Sequence, residues 1–428
     1  MHLAYLNSQY PALSHTFIER EVQSVRLRGI DVRTVSIRRP STSDVLSDNH
    51  RQASEETTYV MCGLPALIWT VVSAFCVRPL NSIRTCWAGQ VLSPAGPVSR
   101  LKHLAYAIEA LRLARLMRQE GLSHVHVHMA NNAAMVALLA TRFDQTLSYS
   151  LTVHGSADFY EVHELRLRQK GENAIFVRCI SDFCRAQVMA WSGSDVWDRI
   201  YVVHCGVDPN VYQLAEHPAG SPLRLLTVGR LVPIKGYPIL LRACRQLVDE
   251  GIDVRLEMVG DGPMRENLEQ LAGNLAIRDR VLFAGPIGQD DIQAYYDRAN
   301  VMVISSFMEG VPVVLMEAMA KGLAVVATRV GGIAELVEEG VSGWLVNPAS
   351  VDALVRGIRQ AATHRDHLAA MGRAGRRRVI EEFSIDDVGS SMASLFKQYV
   401  TDGVAESTAV NAHAGAEPAL AQSEGFTS

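Results

Sequence analysis

The second half of the chain alternates short apolar runs with amphipathic stretches. LRLLTVGR (223–230), IDVRLEMVG (252–260), RVLFAG (280–285), NVMVISS (300–306) and LAVVAT (323–328) have the length and composition of buried strands. Between them, GYPILLRACRQLVDEG (236–251) spaces its apolar residues at helical period, and further helices are expected near 264–275, near 289–298 and after Pro312. Repeated strand–helix–strand units pack as a parallel sheet covered on both faces.

The first half follows the same logic more loosely. HLAYLNS (2–8), IDVRTVSI (30–37), HVHVHM (124–129), LSYSLTV (147–153), AIFVRCIS (174–181) and RIYVVH (199–204) read as strands, with a helix over 15–28 ended by Gly29. Residues 40–60 are polar and Ser/Thr-rich and read as a loop or insertion. The Pro, Gly and polar mixture of 208–222 marks a linker between an N-terminal domain (1–207) and a C-terminal domain (223–385). Residues 401–428 are small, polar and aperiodic, the composition of a disordered tail. One run, LPALIWTVVSAFCV (64–77), is about 14 residues long, too short to cross a hydrocarbon layer of about 30 Å. A buried helix and an interfacial helix lying on a membrane both fit it.

Composition narrows the function classes. The chain has 428 residues, 48% apolar and 20% charged, which suits two or three soluble domains. Its 45 acidic and 41 basic residues leave a net charge of −4, so no global field favours nucleic acid. Seven cysteines without a CxxC pair point to a reducing compartment. The N-terminus lacks the basic region and long apolar core of a signal peptide. A cytoplasmic protein is expected.

The chemistry concentrates in FMEGVPVVLMEAMAKG (307–322). Pro312 suits the first turn of a helix, which leaves Glu309, Gly310 and Val311 in the loop before it and Glu317 inside it. A helix start offers free N–H groups and partial positive charge, an anion site typical of diphosphates. Carboxylates at its edge would repel phosphate, so hydroxyls are their fitting partners. Both acids are equally compatible with ordinary surface roles. VGRLVPIKG (228–236) ends a strand at Gly229 and sets Arg230 and Lys235 in the next loop, where open α/β sheets bind ligands. VGDGP (259–263) and RVGGIAELVEEGVSGWLV (329–346) add glycine turns that fit either tight turns or ligand approach.

Taken in order, G-R-L-x-x-x-K-G (229–236), V-G-D-G-P (259–263), S-x-x-x-E-G-x-P-x-x-x-x-E-A-M-A-x-G (305–322) and G-G-x-x-E-L-V-x-x-G-x-x-G (331–343) resemble the large retaining glycosyltransferase family of GT-B fold, the family-4 sugar transferases. The resemblance spans 223 to about 385. YPALSHTFIEREVQSVRLRGIDV (10–32), HVHVHMANNAAMVALLA (124–140), TVHGSADFY (152–160) and VVHCGVD (202–208) resemble its exopolysaccharide branch, typified by colanic-acid-type transferases.

The resemblance implies two Rossmann-like domains facing across a cleft, with 386–400 as a C-terminal helix crossing back to the N-domain. It implies a UDP- or GDP-linked sugar as donor and a saccharide or lipid-linked oligosaccharide as acceptor. No cofactor, metal or nucleic acid is expected. A peripheral contact with the inner membrane follows if the acceptor is lipid-linked. By similarity, Glu309 bonds the donor sugar and Glu317 the ribose. Arg230 and Lys235 neutralise the diphosphate, near Gly229, Gly310, Val311 and Pro312. His154 supports the departing sugar.

The loop SQYPALSHT (8–16) lacks the paired glycines of many relatives. Ser14 and Thr16 there serve as helix caps or ligand contacts. His124, His126 and His128 alternate on one strand face; structural roles are expected rather than a metal site. Asp290 and Asp291 read as helix caps. An NAD(P)-dependent oxidoreductase would need GxGxxG after the first strand, and residues 2–8 are not followed by one. A non-catalytic carbohydrate-binding relative remains an alternative, as does a GT-B epimerase or phosphorylase.

Overall fold

The computed structural model describes residues 1–12, 16–40, 48–61, 63–159, 161–217 and 220–410. The N-terminal sheet contains β1 (His2–Gln9), β2 (Asp31–Arg38), β3 (Thr58–Tyr59), β4 (His124–His128), β5 (Ser148–Val153), β6 (Val177–Cys179) and β7 (Ile200–Val202). The C-terminal sheet contains β8 (Leu223–Val228), β9 (Val254–Val259), β10 (Val281–Gly285), β11 (Val301–Ile304), β12 (Ala324–Thr328) and β13 (Gly343–Val346). All neighbours run parallel, in the orders β3-β2-β1-β4-β5-β6-β7 and β10-β9-β8-β11-β12-β13. Strand order reverses between β1 and β4 and between β8 and β11. Crevices at such reversals, beyond the carboxyl ends, are where doubly wound sheets bind ligands.

Helices cover both sheets because their sequences supply one apolar stripe each. In the helix Tyr237–Asp249, Tyr237, Leu240, Leu241, Cys244 and Leu247 are buried, the i, i+3, i+4, i+7 pattern of a single face. Strands β11 and β12 are buried at every residue, as a centrally placed parallel strand must be.

The chain crosses back once. Val207 N–H donates to Phe383 O, and Ile385 N–H to Val207 O, both at 3.0 Å. The last helix, Ile385–Val410, then lays Val388, Met392 and Phe396 against Leu3, Tyr5 and Ile18 of the N-terminal half. It continues to Val410, so the expected tail from 401 is helical over its first ten residues; 411–428 lie outside the described residues.

Two further expectations change. The polar stretch 40–60 holds a helix, Asp48–Glu56, and the edge strand β3, because Val35 and Ser36 of β2 present a free edge to Thr58 and Tyr59. Residues 64–77 form a helix that buries only Thr70 and Ala74, so it is no buried core helix. Two more helices, Pro79–Val91 and Pro97–Gln119, follow before β4. Each of the three carries proline in its first turn, where no N–H is missed.

Candidate functional site

The loops at the carboxyl ends of the two sheets meet backbone to backbone. A Cβ on Gly310, after β11, would lie 2.2 Å from the His154 carbonyl oxygen, after β5. A Cβ on Gly155, whose φ is +102°, would lie 2.9 Å from Gly310 Cα. Only paired glycines allow this approach. A carboxylate fastens the same seam: Glu335 accepts the amides of Asp182 and Phe183 at 2.8 and 2.9 Å, at the start of the helix Asp182–Ala190. That is the favoured place for a negative charge.

On the C-terminal side, Lys235 Nζ lies 2.6 Å from Glu309 Oε1, and Ser306 Oγ donates to the same oxygen at 2.5 Å. Glu309 is buried, Lys235 half-buried and Arg230 exposed. The Arg230 guanidinium makes no ion pair among the described residues. Pro312 is the residue before the helix Val313–Ala320 rather than its first turn. The amides of Val313 and Val314 therefore lack intrahelical acceptors. Gly229 follows β8 with φ +154°. The glycines of VGDGP serve packing: a Cβ on Gly260 would lie 2.1 Å from Gly229 O, and one on Gly262 2.6 Å from Leu231 O.

Glu317 sits differently from Glu309. It is 5% exposed. Its Oε1 accepts from Arg20 and from Tyr212 OH, both at 2.8 Å, and its Oε2 from Tyr296 OH at 2.9 Å. Burial and the Glu317 charge push both phenols up, so they remain donors. Burial opposes the charge on Arg20, but Glu317 and Tyr212 override it and keep the group cationic. Three of about four acceptor positions on the carboxylate are filled. Arg20, Tyr212 and Tyr296 were not foreseen; Arg20 stands 297 residues away in sequence and no local pattern marks it.

On the N-terminal side, His154 Nε2 lies 3.0 Å from His128 Nδ1, and His128 Nε2 lies 3.4 Å from Glu21 Oε1. Glu21 also accepts from Arg178 and, at 2.9 Å, from Tyr5 OH. Burial alone would raise the Glu21 carboxyl; Arg178 and His128 beside it hold it well below the usual range. His128 Nε2 faces the Glu21 carboxylate without completing a hydrogen bond, while its Nδ1 shares one with His154 Nε2. Arg178, Glu21 and His128 thus orient the ring of His154. The Asp158 carboxylate accepts the amides of His154 and Ala130, both at 2.9 Å, and ties the two strand-end loops together.

The other histidines of β4 hydrogen-bond the hydroxyls of β5. His124 reaches Ser148 and Ser150 at 2.9 and 2.8 Å. His126 reaches Ser150 and Thr152 at 2.7 and 2.8 Å. Burial pushes His124 down to about 3 and His126 well below its usual range, so both are neutral. Glu21, His126 and His128 lie close enough to hold a cation. However, Arg178 already neutralises the acid, and hydroxyls occupy both His126 nitrogens. Thr16 opens the helix Thr16–Arg26, while Ser14 lies outside the described residues. The helix Gln289–Arg298 is preceded by Gly288 without a side-chain cap, so Asp290 and Asp291 are first-turn residues rather than caps.

Comparison with known proteins bears on the family and the fold. Residues 215–378 match the family model "Glycosyl transferases group 1", and residues 72–211 match "Glycosyltransferase Family 4". A putative colanic acid biosynthesis glycosyltransferase, WcaL of Salmonella typhimurium, is 34% identical over 47% of this chain and 51% of its own length. The amylovoran biosynthesis glycosyltransferase AmsK of Erwinia amylovora is 33% identical over 44% of this chain and 48% of its own. The chain thus spans about half the length of these curated relatives. Anabaena HepE, solved with UDP and glucose, superposes with a TM-score of 0.71 over 93% of this chain and all of its own, at 18% identity. The fold is GT-B.

Proposed function

We propose, from the premise that residues 215–378 belong to the glycosyl transferases group 1 and residues 72–211 to glycosyltransferase family 4, that this chain is a glycosyltransferase. It moves a hexosyl group from a nucleotide-linked sugar to a hydroxyl of a saccharide or lipid-linked oligosaccharide in exopolysaccharide synthesis, with retention of configuration. The observation that carries this reading is the Lys235–Glu309 pair at 2.6 Å beside the exposed Arg230, at the reversal between β8 and β11.

Arg230 and Lys235 neutralise the donor diphosphate, assisted by the open amides of Val313 and Val314. Lys235 also holds the Glu309 carboxylate, which accepts hydrogen bonds from the donor sugar. The loop of Gly229 and that of Gly310, Val311 and Pro312 bring backbone close to the same group. Glu317 has one acceptor position left for a ribose hydroxyl. In the transfer, the bond from the anomeric carbon to the diphosphate oxygen breaks while the acceptor oxygen bonds the same face. The acceptor proton passes to the leaving phosphate oxygen. Positive groups held at that oxygen stabilise the charge that develops there, an effect worth about 3–4 kcal/mol per well-placed donor. His154, oriented by His128 on the N-terminal side of the seam, supports the sugar through its remaining ring nitrogen, Nδ1, which lies 3.9 Å from Cys205 Sγ. Arg230 and Lys235 replace the divalent ion that other transferases place at the diphosphate. A sugar nucleotide as substrate makes the cytoplasm the site of reaction.

The test is a screen of purified protein against UDP- and GDP-linked sugars for nucleotide release, with NMR of the product's anomeric proton. Release that persists in EDTA and falls by roughly 100- to 1,000-fold in Glu309→Ala is expected. Failure to consume any sugar nucleotide, or an inverted product, rejects the proposal.

A further inference from the structure

Of the three helices inserted between β3 and β4, the first two are amphipathic in the wrong sense for a surface that faces water, whereas Pro97–Gln119 buries Leu111, Leu113, Leu116 and Met117 in the ordinary way. The helices Leu64–Val77 and Pro79–Val91 bury Thr70, Ala74, Ser82, Thr85 and Gly89. The buried hydroxyls are satisfied within their own helices: Thr70 donates to Ala66 O, Ser82 to Arg78 O and Thr85 to Asn81 O, at 2.8, 3.0 and 2.8 Å. A Cβ on Gly89 would come within 3.1 Å of His103 O, so small residues draw the helices together. Small and hydroxylated residues at helix contacts, with large apolar ones outside, are the packing of helices bathed in lipid.

The outward side is correspondingly apolar. Leu64, Trp69, Leu80, Trp87, Val98 and Leu101 are each 60 to 71% exposed. More than half of the exposed large apolar side chains among the described residues fall between 61 and 104. So large a clustered apolar surface marks an interaction site.

Charge selects the partner. From 57 to 108 the chain contains no Asp or Glu; its only formal charges are Arg78, Arg84, Arg100 and Lys102. Arg78 is taken up by Asp144 at 3.1 Å, while Arg84, Arg100 and Lys102 are exposed. This cationic rim stands out in a chain whose net charge is −4. Neither helix of the pair is long and apolar enough to cross a membrane alone, and the two are bent by 120°. A bent, tryptophan-bearing apolar face edged by cations fits the headgroup boundary.

We infer that the face formed by the helices Leu64–Val77 and Pro79–Val91 and the first turns of Pro97–Gln119 docks in the plane of an anionic phospholipid bilayer. Trp69 and Trp87 enter the acyl boundary while Arg84, Arg100 and Lys102 meet phosphate headgroups. Each cation near such a surface adds to an attraction that salt weakens. The inference does not depend on the proposed transfer reaction.

The full chain is sedimented with vesicles of equal parts phosphatidylglycerol and phosphatidylethanolamine, and separately with phosphatidylcholine vesicles. It should pellet with the first and much less with the second. Trp69→Ser/Trp87→Ser should lower the bound fraction by about tenfold. Arg84→Gln/Arg100→Gln/Lys102→Gln should remove the preference for anionic lipid. Brominated acyl chains should quench wild-type tryptophan emission, a readout that needs no variant. Wild-type protein that stays in the supernatant and is not quenched would overturn the inference. So would a stable dimer by light scattering that Trp69→Ser/Trp87→Ser splits, because the face would then serve a second copy of this chain.

Discussion

Strands β4 and β11 occupy equivalent places, each beside the first strand of its sheet at the point where strand order reverses. Their contents differ. In β4, HVHVH turns three histidines toward the Ser148, Ser150 and Thr152 hydroxyls of β5 and the Glu21–Arg178 pair. In β11, VMVI is apolar throughout. The N-terminal half therefore orients its candidate catalytic histidine through a buried polar network. The C-terminal half keeps its polar groups in the loops and leaves the core apolar. A fully satisfied network specifies one arrangement, and losing one member is costly. An apolar core tolerates small changes more evenly.

The largest expected effect attacks the network itself. Arg178→Met strands Glu21 in the interior and should lower stability by about 3–5 kcal/mol in denaturant titration. Ile304→Val in β11 should cost only about 1 kcal/mol. Equal losses would erase the contrast.

Next comes the chemistry. Glu309→Ala should reduce kcat/KM by roughly 100- to 1,000-fold, about 3–4 kcal/mol, while leaving the melting temperature close to wild type. In the N-terminal half, by contrast, activity and stability should fall together, because His154 and the core share bonds.

Acidification sharpens the comparison further. His124 and His126 stay neutral when folded but protonate below about pH 6.5 when unfolded. The unfolded state then binds more protons, so stability falls as pH drops through 6.5. For His124 the loss between pH 7 and 5 is about 2 kcal/mol, and His126 acts in the same direction. A shallower pH slope in His124→Asn is expected; an unchanged slope would remove this histidine from the account.

The smallest effect lies at the seam. Glu335→Ala removes the carboxylate from the amides of Asp182 and Phe183 and should cost about 1 kcal/mol, the usual size of a lost helix cap. A rise in KM without unfolding would tie that contact to closure of the two halves.

The same contrast explains what the sequence reveals. Gly229, Arg230, Lys235 and Glu309 are legible because each stands in a short loop after an apolar strand, where position alone implies a crevice. Glu317 is legible as a motif residue, but its surroundings are not. Arg20 and Tyr212 reach it from 297 and 105 residues away, and only folding brings them there. Glu21 and Arg178 are likewise 157 residues apart. The alternation of β4 exposes its three histidines as one face but not their partners. The helices at 79–91 and 97–119 escape a pattern reading because large apolar residues, Leu80, Trp87, Val98 and Leu101 among them, lie on the outside.

A crystal structure with a bound nucleoside diphosphate tests the central claim most directly. The diphosphate should lie between Arg230, Lys235 and the amides of Val313 and Val314, with His154 facing it across the Gly155–Gly310 contact. A nucleotide bound on the N-terminal sheet, or one that leaves Arg230 and Lys235 untouched, would contradict the account.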